Sequence, residues 1–245
     1  MNRVFVPSIL VFFAALAGPC THAQENMMSA AAVAKGGHFI TPAQFDIPKI
    51  LPPPPAAGSL AERADIAVVL SAQQWRTPEE AEWAKFIDKD NAFNHASVLG
   101  AWFTKEKLPV TAKFLADVTE DANAVGALTK AFYARARPSQ IEPRVQPLVA
   151  VPPTASYPSG HVTRAFTWAL VLAEIFPDQR AELLERAHRA AWGRVLAGVH
   201  YPTDLIGGQL MAEAIVAELR KSEAFRAAVE KCRAEAAGLT AKKAA

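Results

Sequence analysis

Cysteine is nearly absent, with 2 in 245 residues. That excludes a small fold stapled by several disulfides. Charge of one sign is not in excess either: 26 Lys and Arg face 24 Asp and Glu, for a net charge of +2. Proteins that live on polyanions carry a basic surplus or a basic tail. Without one, nucleic acid is not an expected partner, and negative charge must be recognised through a few placed cations. Long apolar runs are lacking beyond the N-terminus. The two most apolar later stretches, 165–176 and 205–219, carry Glu174 and Gly207, Gly208, Gln209 and Glu213. Both read as buried helices, so no membrane span is expected in the mature form. Alternating strand patterns and internal repeats are missing as well.

What is present is 51% hydrophobic residues and 20% charged residues, with 18 Pro and 12 Gly. This is enough chain for one sizeable core and excludes a disordered or collagen-like molecule. Residues 1–23 read as a signal peptide. Arg3 supplies the positive start, Val4 to Ala17 the apolar run, and Thr21-His22-Ala23 a small-x-small cleavage site. The run is about 14 residues, short of the ~20 a spanning helix needs. Pro19 before Cys20 does not fit a lipid-anchor site. The expected location is therefore the periplasm. Removal of Cys20 leaves Cys232 alone, as a small core residue without a disulfide partner.

Residues 24–59 are expected to form an extended, Pro-rich lead-in. Four prolines at 52–55 impose a polyproline II segment, while Phe39, Phe45, Ile47, Ile50 and Leu51 call for burial. Residues 60–245 form the main domain, an all-α bundle of about eight or more helices. Ser59 caps the first, running towards Trp75. Thr77-Pro78-Glu79-Glu80 is a capping box that opens the second. Further helices are expected over 94–103, 108–118, 121–137, 160–176, 178–198 and 202–219, with a charged one from Ser222 onward.

Three clusters carry chemistry. Lys130 and Arg137 are seven residues apart, which on one helix puts them on a shared face about 10 Å apart, from which long side chains converge on one small anion. Arg135, between them, reads as part of a solvated face. Next, Pro158-Ser159-Gly160-His161 reads as a helix N-terminus, where free N–H groups form an anion site. Gly160 lets the backbone approach, Ser159 adds a hydroxyl, and His161 stands beside the anion ready to give a proton. In the third cluster, Arg194 lies near a helix end, His200 in the connection after Gly198, and Asp204 in the next helix's first turn. A carboxylate there can accept the proton of one ring nitrogen and leave the other as a nucleophile. Three cations, a helix N-terminus and two histidines make a kit for phosphoryl transfer, in which charge clamping dominates. No Asp, His and Cys set has metal-ligand spacing, so neither metal nor cofactor is expected.

In order and in spacing, Lys130…Arg137-Pro138, Pro158–His161 and Arg194…His200…Asp204 resemble the signature of the phosphatidic acid phosphatase type 2 / vanadium haloperoxidase superfamily. The run 51–59 is similar to the segment preceding the core in class A bacterial non-specific acid phosphatases. The resemblance spans about residues 50–220 and implies the superfamily's helical bundle. It also implies a phosphomonoester substrate, a homo-oligomer, and roles for each residue. His200 attacks phosphorus to give a phosphohistidine, Asp204 orients His200, and His161 protonates the leaving group and then serves as base. Lys130, Arg137, Ser159, Gly160 and Arg194 hold phosphate oxygens. Gly193 departs from the family, which often has Ser there; a hydroxyl contact is lost while the backbone N–H is expected to remain. The stretch 139–157 between the first two motifs is expected at the pocket rim. Alternatives are a vanadium-dependent haloperoxidase, a phosphotransferase using alcohol acceptors, an integral lipid-phosphate phosphatase, and a non-enzymatic phosphate-binding protein. The first is normally a longer chain, and the third needs spans.

Overall fold

The computed structural model describes residues 37–244, so the signal-peptide reading of 1–23 and the first part of the lead-in lie outside the described residues. Ten α-helices are present among them and no strand: α1 (Ile47–Ile50), α2 (Leu60–Trp75), α3 (Pro78–Asp88), α4 (Ala96–Leu99), α5 (Pro109–Tyr133), α6 (Pro138–Ile141), α7 (Gly160–Ile175), α8 (Arg180–Leu196), α9 (Pro202–Leu219) and α10 (Glu223–Ala244). None is long and apolar enough to cross a membrane. The expected all-α bundle is the fold observed.

Local chemistry sets most of the helix starts. The Ser59 hydroxyl accepts from the Glu62 amide, and Thr77 and Glu80 cap α3 reciprocally. Proline opens α3, α5, α6 and α9. The centre of the molecule is α7, buried on nearly every face from Val162 to Ile175. It packs most extensively against α8 and α9, and also against α5 and α10, while α3 lies on α8. Cys232 is buried in α10, as a core residue.

Two expected boundaries are corrected. The helices read over 108–118 and 121–137 are one continuous helix, α5. Nothing in Thr119-Glu120 breaks a helix, and the buried stripe Phe114, Leu115, Val118, Ala122, Val125, Thr129 runs through the supposed gap at helical spacing. That helix stops at Tyr133, because Ala134 is left-handed at φ 45°. Arg137 is therefore off the helix, in extended conformation before Pro138. The helix read over 94–103 is instead a 3-10 turn, Ala92–His95, followed by the single turn α4, which ends at Gly100 with φ 101°.

The described part of the lead-in packs on the bundle. Ile40, Phe45, Ile47 and Leu51 are buried, and Phe39 and Ile50 pack partly against the same core. Asp121 anchors its start: the carboxylate accepts from four successive amides, Gly37, His38, Phe39 and Ile40, at 2.8–3.1 Å. Further along, the Tyr133 and Tyr157 hydroxyls donate to the carbonyls of Leu51 and Pro52.

Gly208 brings α9 against the start of α7. A Cβ there would lie 2.8 Å from the Ser159 carbonyl oxygen and 2.8 Å from Val162 Cβ. This close approach lets the Ser159 amide donate to the Asp204 carbonyl at 3.0 Å. Two of the three sequence clusters are thereby joined.

Candidate active site

His200 lies in the short connection between α8 and α9, which Gly198 turns at φ 73°. It is buried between two partners. Asp204 Oδ2 is 3.0 Å from Nδ1, and Arg137 Nη1 is 3.0 Å from Nε2. Arginine can only donate, so Nε2 must accept and Nδ1 must carry the proton. The tautomer is thus fixed, with the Nε2 lone pair facing the cations. Burial pushes the imidazole down to about 3 against the pull of Asp204, helped by Lys130 and Arg137. The ring is neutral over the ordinary pH range.

Asp204 is held from several sides. Its Oδ2 also accepts from the Ser156 hydroxyl at 2.5 Å and the Tyr201 amide at 3.0 Å, and its Oδ1 accepts from Arg135 at 2.7 Å. Burial works against the carboxylate, but His200, Arg135 and Ser156 outweigh it and hold the carboxyl below its usual range.

Lys130, in the last turn of α5, donates to the carbonyls of Ala155 (2.6 Å) and Pro158 (2.9 Å). Arg137 donates to Thr154, Val199 and the same Ala155 carbonyl. The two cations therefore do converge, although through a left-handed turn and a shared loop rather than along one helix face. Burial, with repulsion from Arg137 and Arg164, lowers the Lys130 ammonium to about 7.

At the start of α7 the Ser159 hydroxyl is the N-cap, accepting from the Val162 amide at 3.5 Å. Gly160 and His161 contribute the first two amides of the helix, which have no intrahelical acceptor. His161 Nε2 is 3.2 Å from the Asp88 carbonyl oxygen. Burial, then Arg194 and Arg164, push its ring down to about 2.

Arg194 is fully buried and bonds Asp88 Oδ1 through Nη1 at 3.0 Å. Its Nε and Nη2 have no hydrogen-bond partner among the described residues. Two buried, unpaired guanidinium donors are costly unless an acceptor fills the space in front of them. A tetrahedral oxyanion supplies acceptors of that kind.

The sequence profile of the PAP2 superfamily matches residues 114–226. The non-specific acid phosphatase of Providencia stuartii is 30% identical over 204 residues, covering 78% of this chain and 80% of its own. This chain belongs to the PAP2 superfamily. The non-specific acid phosphatase of Salmonella typhimurium is 28% identical over 196 residues, covering 76% of this chain and 78% of its own. Among solved structures, a bacterial vanadium-dependent iodoperoxidase shares the fold at a TM-score of 0.52 and 18% identity, over 71% of this chain and 52% of its own. The chain spans about half the length of that peroxidase.

Several residues of this PAP2 site escape a reading of the motifs. Arg135 is not a solvated residue: it is buried and bridges Asp65 Oδ2 of α2 at 2.8 Å to Asp204. Its guanidinium lies 3.9 Å from the Tyr201 ring centroid. Two carboxylates and an aromatic face outweigh the cost of burying it, but a basic helix face gives no sign of partners 70 residues away in sequence. Asp65 also binds the Thr203 hydroxyl, tying α2 to the start of α9. The stretch 139–157 does more than form a rim, since Thr154, Ala155 and Ser156 supply the acceptors and the hydroxyl that position Arg137, Lys130 and Asp204. Tyr157 and Tyr201 are buried in the core. Gly193 differs from expectation too. It lies inside α8, so its N–H is spent on the helix ladder. A Cβ there would meet Trp83 and Ile87 of α3 at 3.5–3.6 Å.

Proposed function

We propose that this protein is an exported acid phosphatase that hydrolyses phosphomonoesters through a phosphohistidine intermediate. The observation that carries the reading is the pairing of a neutral His200, its Nε2 facing Arg137, with the two unpartnered donors of Arg194. The relatedness to non-specific acid phosphatases supports the same chemistry. The apolar stretch at 4–17 supports export to the periplasm.

The phosphoryl group enters between Arg137 and Arg194, taking the place of the Arg137–His200 hydrogen bond. Lys130 and the Gly160 and His161 amides bind its other oxygens. His200 Nε2 then attacks phosphorus. The P–N bond forms as the P–O bond to the leaving group breaks, and the Nδ1 proton stays shared with Asp204, which stabilises the new cationic ring. His161 gives its proton to the leaving oxygen. Water next attacks phosphorus, His161 takes a proton from that water, and the P–N bond breaks to release phosphate and neutral His200.

His161 is neutral in the empty pocket, so its proton must arrive with the substrate. A bound phosphate monoanion beside the ring offsets the repulsion of Arg194 and Arg164 and brings a proton with it. An acid optimum follows. The experiment is a panel of phosphomonoesters assayed against pH with EDTA present, together with an alkaline quench and mass analysis for phosphate on His200. Turnover that peaks in acid, with a trapped phosphoryl group lost in His200→Ala, is expected. A wild-type protein that turns over no phosphomonoester, or an undiminished rate in His200→Ala, overturns the reading.

A further inference from the structure

The pocket holds one cation more than the three motifs account for. Arg164 follows His161 by three residues and Gly160 by four, so all three lie on one face of α7. A helical side chain leans back over the preceding turn. Arg164 does so: its Nη1 is 3.8 Å from the point where a Cβ on Gly160 would stand, and Lys130 Cε is 3.5 Å from the same point. Arg164 and Lys130 thus flank the glycine at the phosphate-binding helix start. Together with His161, Asp90 and Trp168, Arg164 also lines a small cavity of about 10 Å³.

Among the described residues the Arg164 fork makes no ion pair; Asp90 acts on it only through space. Its hydrogen bond runs to a neutral acceptor, Asn123 Oδ1, at 3.3 Å. The nearby carboxylate, Asp90, is taken by Arg186 through two bonds of 2.7 and 3.1 Å. Asp88 is paired with Arg194, and Asp65 and Asp204 are both held by Arg135. Lys130, Arg137 and Arg194 suffice to clamp a phosphoryl group. Arg164 stands beside the histidine assigned to the leaving oxygen, with donors to spare.

Resting on the phosphatase reading, we propose that Arg164 receives a second oxyanion on the leaving group, so that the preferred substrates are phosphomonoesters whose leaving group carries a carboxylate or a further phosphate. The shared chemistry is a planar guanidinium meeting an oxyanion, bidentate where geometry allows.

A matched substrate set tests this. Ethyl phosphate has a neutral leaving group, phosphoglycolate replaces its methyl by carboxylate, and inorganic pyrophosphate offers phosphate. kcat and KM are measured for each with the wild type, Arg164→Lys and Arg164→Gln. The wild type is expected to favour one or both of the substrates with an anionic leaving group over ethyl phosphate by roughly tenfold or more in kcat/KM. The preferred arm tells carboxylate from phosphate. That ratio should fall by roughly tenfold in Arg164→Gln and be largely kept in Arg164→Lys. A ratio unchanged in Arg164→Gln, or a wild type that favours ethyl phosphate, overturns the proposal; the second result needs no variant to fold. A wild type inactive on all three and on p-nitrophenyl phosphate sinks the phosphatase reading itself, which is a different result.

Discussion

Arg135 donates to Asp204 Oδ1 at 2.7 Å while His200 sits on the other oxygen of the same carboxylate at 3.0 Å. The carboxylate that holds His200, the proposed nucleophile, is thus itself pinned by a buried cation. The position of that cation is set in turn by Asp65 of α2, 70 residues away in sequence. The geometry of His200 depends on how α2, α5 and α9 pack as much as on the connection that carries it.

Removing Arg135 should therefore affect stability and rate separately. Arg135→Met leaves two buried carboxylates without their counter-ion, and a loss of about 3–5 kcal/mol is expected in chemical denaturation. Arg135→Lys keeps one charge but not the fork that spans Asp65 and Asp204. It should fold, and its kcat should drop by about tenfold with KM little changed, as Asp204 loses its fixed orientation. A kcat equal to wild type in Arg135→Lys would show that Asp204 needs no such support.

Anion affinity should fall as pH rises through 7. Of the pocket groups, Lys130 is brought to about 7, while His161 and His200 are pushed to about 2 and 3 and Arg137 only to about 10. Below pH 7 the ammonium is charged and binds an oxyanion; above it the charge is lost. Sulfate is the suitable probe because it does not titrate in this range. Its inhibition constant should rise towards tenfold per pH unit above 7. In Lys130→Arg the curve should stay flat. A flat curve in the wild type would mean that Lys130 keeps its proton in the empty pocket.

Asp121 predicts a different kind of effect. Four amide donors converge on its carboxylate, and a hydrogen bond to a charged group contributes about 1.5–3 kcal/mol net of competition with water. Asp121→Asn retains the shape but offers one acceptor oxygen and loses the charge. Proteolysis should then cut near residues 37–46 faster than in the wild type, with the rest of the chain equally resistant. Equal cutting rates would place the anchoring of this segment in Phe45, Ile47 and Leu51 alone.

Much of this was legible in the sequence because it is local. Caps at Ser59 and Thr77, prolines at helix starts and the His200–Asp204 spacing act within a few residues of one another, and their physics is written in the order of residue types. The single helix through Thr119-Glu120 is also legible, in the unbroken stripe from Phe114 to Thr129. The extended backbone of Arg137 is legible in Pro138, which disfavours a helical residue before it; the earlier stop at Ala134 is not, because alanine has no intrinsic preference for a left-handed turn. Arg164 was hidden for a related reason. A basic residue on an apolar helix reads the same whether it reaches solvent or leans over a glycine one turn back.

The last prediction concerns stability against pH. His95 is fully buried, with Nδ1 3.0 Å from the Ala92 carbonyl and Nε2 unpartnered. Burial, with Arg186 nearby, lowers its ring to about 4 from the ordinary 6.5. Between these values the unfolded chain binds a proton that the folded chain refuses. Stability is therefore full above pH 6.5, falls as pH drops towards 4, and levels off below. The slope from this one residue is at most about 1.4 kcal/mol per pH unit. His161 and His200 add slopes of the same sign, so the comparison must isolate His95. His95→Asn keeps a donor near the Ala92 carbonyl and cannot titrate. Urea unfolding at pH 7, 6, 5 and 4.5 should show the variant less stable than wild type at pH 7, because of the space it leaves, with the difference narrowing as pH falls. Parallel curves would mean that the His95 ring is protonated in the folded core and has found a partner for Nε2.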